Sequence, residues 1–122
     1  MNIPDKVKIG NINYEIVKTQ NELIFEDEPV DGTISFEESK IELNTSNKSK
    51  QYIEETFIHE MVHGIFNYMG INQSEKLVDK VTKGFHQLVI DNPGIFEKDP
   101  RDEKINKFSI NLKKRLERVT DN

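Results

Sequence analysis

Three histidines occur in the 122 residues, and two of them bracket a pentapeptide, His59-Glu60-Met61-Val62-His63, with the pattern HExxH. On an α-helix, residues four apart rise about 6 Å and project from nearly one face, so two imidazoles placed this way can converge on one metal ion. Zinc takes imidazole nitrogens at about 2.0–2.1 Å. Glu60 is turned by about 100° from His59 and reaches not the metal but the water beside it. There it can take a proton, because zinc brings the pKa of such a water toward about 7. With three His and fourteen Glu in the chain, composition alone yields about 0.008 such matches. The spacing therefore points to a metal site rather than to two unrelated polar residues.

A catalytic zinc site needs a third protein ligand and an open fourth position. The chain has no cysteine, which removes thiolate ligands, thiol catalysis and disulfide scaffolds together. The candidates are Asp79, Glu75 and His86, all beyond the HExxH segment. A helical hairpin centred on Ile71 sets Asp79 level with His63. It leaves Glu75 level with Asn67, one turn too near the loop, where Glu75 also has capping-box spacing from Asn72. His86 falls about one turn too deep for His59. Asp79 is the preferred ligand, ahead of Glu75 and His86; its competing role is a helix-surface pair with Lys83. A His-His-carboxylate set also suits iron or manganese, but HExxH within one helix makes zinc the expectation.

The elements that must position these residues follow from periodicity. Ile58, Val62, Ile65 and Met69 form one helical stripe from about Ser49 to Tyr68, closed by Gly70. Asn72 and Glu75 begin a second helix whose apolar side is Leu77, Val78, Val81, Phe85, Leu88 and Val89, and Asn92-Pro93-Gly94 ends it. Asp99 and Pro100 start a third, amphipathic helix with Ile105, Phe108, Leu112, Leu116 and Val119 on one side. Before Ser49 the period is 2. Val7 and Ile9, then Ile12, Tyr14 and Ile16, flank Gly10-Asn11 as a hairpin. Leu23-Ile24-Phe25 is a short apolar run, and Thr33–Phe36 with Lys40–Leu43 form a second hairpin around Glu37-Glu38-Ser39. A small antiparallel sheet followed by helices is an α+β domain. It is expected over residues 1–98, with residues 99–122 as an appended basic helix.

Composition bounds the remaining choices. A chain of this length holds one core, and no apolar run approaches the roughly 20 residues of a membrane span. Met1 to Gly10 lack a basic start and an apolar stretch, so no secretory signal is expected and the protein is placed in the cytoplasm. The formal net charge of −5 argues against a nucleic-acid partner. Residues 101–118 are locally basic and offer a face to an acidic surface, including a second copy of the chain.

The hairpin strands, the HExxH helix, the glycine turn, the acidic second helix and Gly84-Phe85-His86-Gln87-Leu88 with Asp91-Asn92-Pro93 together resemble small zincin-like metallopeptidases. These are carried by phages and mobile elements of low-GC Gram-positive bacteria and grouped loosely with the ImmA/IrrE proteins. The resemblance covers about residues 7–96. It implies His59 and His63 as zinc ligands, Glu60 as general base and an acidic residue of the second helix as third ligand. Group members carry Glu there, so Asp79 would be a departure. Better-known members act on helix-turn-helix repressors, which suggests a regulatory protein as substrate. The expected reaction is hydrolysis of a peptide bond, with an extended substrate held along a sheet edge, Thr33–Phe36 or Lys40–Leu43. Tyr52, Tyr68 and His86 are the candidate oxyanion donors, and Thr56 and Phe66 flank the histidines one turn away. The competing expectation is a non-catalytic module braced by zinc, in which Glu60 would have no task.

Overall fold

The computed structural model describes residues 1–96. They comprise a compact unit, Met1–Asp91, and the first residues of a second unit that begins at Asn92. The architecture is α+β, with strands first and helices after. The strands are β1 (Lys6–Ile9), β2 (Ile12–Thr19), β3 (Leu23–Phe25), β4 (Glu28–Val30), β5 (Gly32–Ser35) and β6 (Lys40–Asn44). The helices are α1 (Lys50–Met69), α2 (Glu75–Asp91) and, in the second unit, the single turn α3 (Pro93–Phe96). The helix expected from Asp99 onward, with the self-association face assigned to it, lies outside the described residues. No helix among the described residues is long and apolar enough to cross a membrane.

β1 and β2 form the expected hairpin, with Ile9 opposite Ile12 and Gly10 at φ +60°. β5 and β6 form the second, with Ser35 opposite Lys40. The sheet order is β1-β2-β6-β5, which corrects the all-antiparallel expectation at one place. β2 and β6 run parallel, from Glu15 opposite Lys40 to Thr19 opposite Asn44. Parallel neighbours need a long crossover, and the chain between β2 and β6 supplies one, containing β5 and the separate β3–β4 hairpin. β6 is thus interior, and Lys40–Leu43 is no edge. On the cleft side the edge strand is β5.

Ile9, Tyr14, Ile16, Ile41 and Leu43 bury one face of this sheet against Phe57 of α1. A second cluster joins Ile58, Val62 and Phe66 of α1 to Val78 and Val89 of α2. α1 is therefore covered on two sides, by the sheet and by α2. This corrects its expected stripe: Ile58 and Val62 are buried, but Ile65 and Met69 are 43% and 63% exposed, and Phe57 and Phe66 take their places. The buried side of α2 is likewise Val78, Thr82, His86 and Val89, two of them polar. α1 lies close against the sheet at Gly64, where a Cβ would come within 2.9 Å of the Ile9 Cδ1. The residue after His63 is small because the helix lies that near the strands.

Candidate metal centre

α1 starts on the Ser49 hydroxyl, which accepts from the Tyr52 N–H, and ends on Gly70 in the left-handed region at φ +69°. Both boundaries are local capping effects that the sequence signals directly. Within this helix the His59 and His63 rings stand 4.9 Å apart, centroid to centroid, at 70° to each other. α2 begins differently from expectation. Its cap is Ser74, whose hydroxyl accepts from the Leu77 N–H at 3.3 Å and whose carbonyl accepts from the Val78 N–H. Asn72 is not the cap, so Glu75 is the first helical residue and its carboxylate has no capping task.

That carboxylate lies between the histidines. Its two oxygens are 3.3 Å from His59 Nε2 and 2.9 Å from His63 Nε2. One donor atom from each of His59, His63 and Glu75 lies within 4.8 Å of the other two. Donors around a tetrahedral zinc at about 2.0–2.1 Å are about 3.3–3.4 Å apart, so the set contracts onto an ion with small side-chain movements. Two imidazole nitrogens and one carboxylate fit a divalent cation that keeps an open position.

Asp79, the ligand preferred from the sequence, is elsewhere. Its Oδ1 sits 3.2 Å from His59 Nδ1, on the far edge of the ring from Glu75. His59 Nδ1 cannot point at Asp79 and into the centre together, so Asp79 is placed to orient the ring and not to join the donor set. The register of the two helices differs from the one expected. Asp79 is beside His59, not His63, and Glu75 is beside His63, not Asn67, a shift of one turn, or about 6 Å. The cause is the connection. Residues 70–74 run back along α1 far enough for Gln73 to reach His63. Its Oε1 is 2.8 Å from Nδ1, and its Nε2 donates to the His63 carbonyl at 3.1 Å. Nothing in the sequence signals this role for Gln73, a polar residue in a polar loop. Ser74, however, is a good N-cap residue three positions before Leu77, and taking it as the cap would have freed Glu75.

Glu60 is 6% exposed. Burial raises its pKa to about 7; positive charge at His63 opposes the rise and the Glu75 carboxylate adds to it. A carboxyl group with no aqueous shell thus sits beside two imidazoles and a second carboxylate, poised to hold or release a proton near neutrality.

These residues open into a cleft of about 990 Å³ between α1 and the start of α2 on one side and β5 with the β3–β4 hairpin on the other. Of the candidate oxyanion donors, only Tyr52 lines it. The Tyr52 hydroxyl donates to Asp31, and that bond is the main reason its pKa is raised. Tyr68 packs on the β1–β2 turn, where a Cβ at Gly10 would fall within its ring. His86 is buried, with Nδ1 3.7 Å from Glu55 and Nε2 lacking a hydrogen-bond partner among the described residues. Thr56 lines the cleft, whereas Phe66 is a core residue.

No family model, curated protein or solved structure matches the chain.

Proposed function

We propose that the chain is a zinc-dependent metallopeptidase that hydrolyses peptide bonds of a protein substrate. The observation that supports this most strongly is Glu60, a buried carboxyl group beside a His-His-Glu donor set and inside an open cleft. A site that only braced two helices would gain nothing from that group and would bear the cost of burying it.

His59, His63 and Glu75 would hold the ion, with Asp79 and Gln73 fixing the two rings from behind. A zinc ion bound there supplies a Lewis acid for the scissile carbonyl and makes water acidic enough to deprotonate near neutral pH. Glu60 accepts the proton as the water oxygen bonds to the carbonyl carbon. It returns that proton to the amide nitrogen as the C–N bond breaks, leaving a carboxylic acid and an amine. β5, paired on one side by β6 and open on the other, borders the cleft and can take an extended substrate as an added strand. The resemblance to the ImmA/IrrE group makes a cytoplasmic regulator the first substrate to try.

The test is metal content per chain by elemental analysis, followed by cleavage assays on the zinc-loaded protein. One zinc per chain and cleavage abolished in Glu60→Gln, with metal retained, is the expected result. A wild-type chain that neither retains nor takes up zinc would overturn the reading.

A further inference from the structure

The cleft is one-sided in charge. Seven carboxylates line it, and apart from the two metal-site histidines no lysine, arginine or histidine does. Several are already engaged. Glu60 and Glu75 belong to the centre, Asp79 backs His59, and Asp31 meets both Tyr52 and Lys48, the latter at 3.5 Å. Glu26 in the β3–β4 turn, Glu28 of β4 and Glu55 of α1 remain; none has a lysine or arginine within ion-pair distance among the described residues, and Glu55 meets His86 Nδ1 at 3.7 Å. Glu55 precedes His59 by one turn on the same face of α1.

A second observation falls at that turn. Because Asp79 lies beside His59 and His86 beside Glu55, Thr82 comes level with Glu55 and Thr56. Thr82 lines the cleft and is 2% exposed, and its hydroxyl has no hydrogen-bond partner among the described residues. A buried hydroxyl without a partner costs about 1–3 kcal/mol; the oxygen itself is closed off from the cleft surface, so a donating ligand recovers that cost through a small local opening. The β3–β4 hairpin closes the same end. It is rooted where Asp31 bonds Tyr52 and where a Cβ on Gly32 would crowd the Thr56 methyl. It carries Phe25, 58% exposed, which lines the cleft together with Glu28. An aromatic ring, two carboxylates without a lysine or arginine partner and a buried hydroxyl match the aliphatic stem and cationic head of lysine or arginine.

We infer that the Glu55 end of the cleft is a subsite for a lysine or arginine side chain, so that the substrate is a basic peptide segment. The inference rests on the peptidase reading for its placement relative to a scissile bond. One helical turn is about 5.4 Å and an extended chain advances about 3.3 Å per residue, so the cationic residue lies about two positions from the bond that is cut.

The experiment uses the zinc-loaded Glu60→Gln variant of the full chain, which separates binding from turnover. Its ligands are three fluorescein-labelled dodecapeptide pools, identical except that one fixed position carries lysine, norleucine or glutamate. Fluorescence anisotropy at low salt should show the lysine pool binding about tenfold more tightly than the norleucine pool, with the advantage shrinking as salt rises. Adding Glu55→Gln or Glu28→Gln should each remove most of that advantage and leave the norleucine pool unaffected. Equal binding of the lysine and norleucine pools, or no binding of any pool, overturns the inference. Cleavage by wild type is then scored separately. Selectivity without cleavage keeps the cationic subsite and defeats the peptidase reading, whereas cleavage indifferent to lysine does the reverse.

Discussion

Gln73 holds His63 at two points at once, with its Oε1 2.8 Å from the ring Nδ1 and its Nε2 on the main-chain carbonyl at 3.1 Å. One amide thereby fixes the ring's rotation and ties the interhelical loop to α1. Replacing Gln73 with Leu should weaken zinc affinity by about 10- to 100-fold, measured by competition with a chromophoric chelator. The isolated metal-free fold should lose much less, because the bonds concerned are only partly buried.

The two carboxylates near His59 should separate cleanly in the same assay. Glu75→Ala removes a donor and should leave the chain without stoichiometric zinc after dialysis. Asp79→Ala removes only the ring's backing and should retain one zinc per chain, with affinity lowered by about 10- to 100-fold. The opposite pattern would restore Asp79 as the ligand.

Glu60 should make the metal-free protein less stable as pH rises. Its folded pKa is about 7 against an ordinary 4.5. Between those values the folded state holds a proton that the unfolded state has released, so the slope of stability with pH is negative. The fall across that window is about 3 kcal/mol, at about 1.4 kcal/mol per pKa unit. Chemical denaturation with chelator present, at pH 4.5 and pH 7.5, should show the slope in wild type and lose it in Glu60→Gln. That variant should be the more stable protein at the higher pH.

Two glycines should respond in opposite directions to added side chains. Gly64→Leu forces atoms into the contact with Ile9 and should cost about 1–3 kcal/mol. It should also weaken zinc binding, because the helix that lifts carries both histidines. Gly84, within α2, has nothing within 4 Å of the site of a Cβ. Gly84→Ala should therefore stabilise by about 0.5–1 kcal/mol through helix propensity. Thermal melts of the two variants beside wild type decide both.

What the sequence discloses about this molecule is what short-range physics determines. α1 is bounded by Ser49 and Gly70 because capping is local, and HExxH is legible because four residues on a helix fix a face. The hairpin at Gly10-Asn11 is legible for the same reason. The parallel pairing of β2 with β6 depends on which strand fills the gap beside β2, and no local pattern encodes that. Ile65 and Met69 mislead because a helix covered on two sides has no single apolar stripe. Which carboxylate of α2 faces the two histidines depends on the path of residues 70–74, and composition does not specify that path, so the sequence favours Asp79 where the fold brings Glu75.

That path has a consequence for how such a centre tolerates change. Residues 70–74 are not helical, so a residue added there would lengthen the connection by up to about 3.3–3.6 Å, while Val78 and Val89, buried against α1, would hold α2 in its present rotation. Glu75, the first residue of α2, and Gln73 before it are the groups that such a change would carry away from the imidazoles. The connection acts as a ruler for those two side chains alone, since the rest of the helix is kept in place by its own packing. Insertions there should part Glu75 from the histidines while leaving both helices intact.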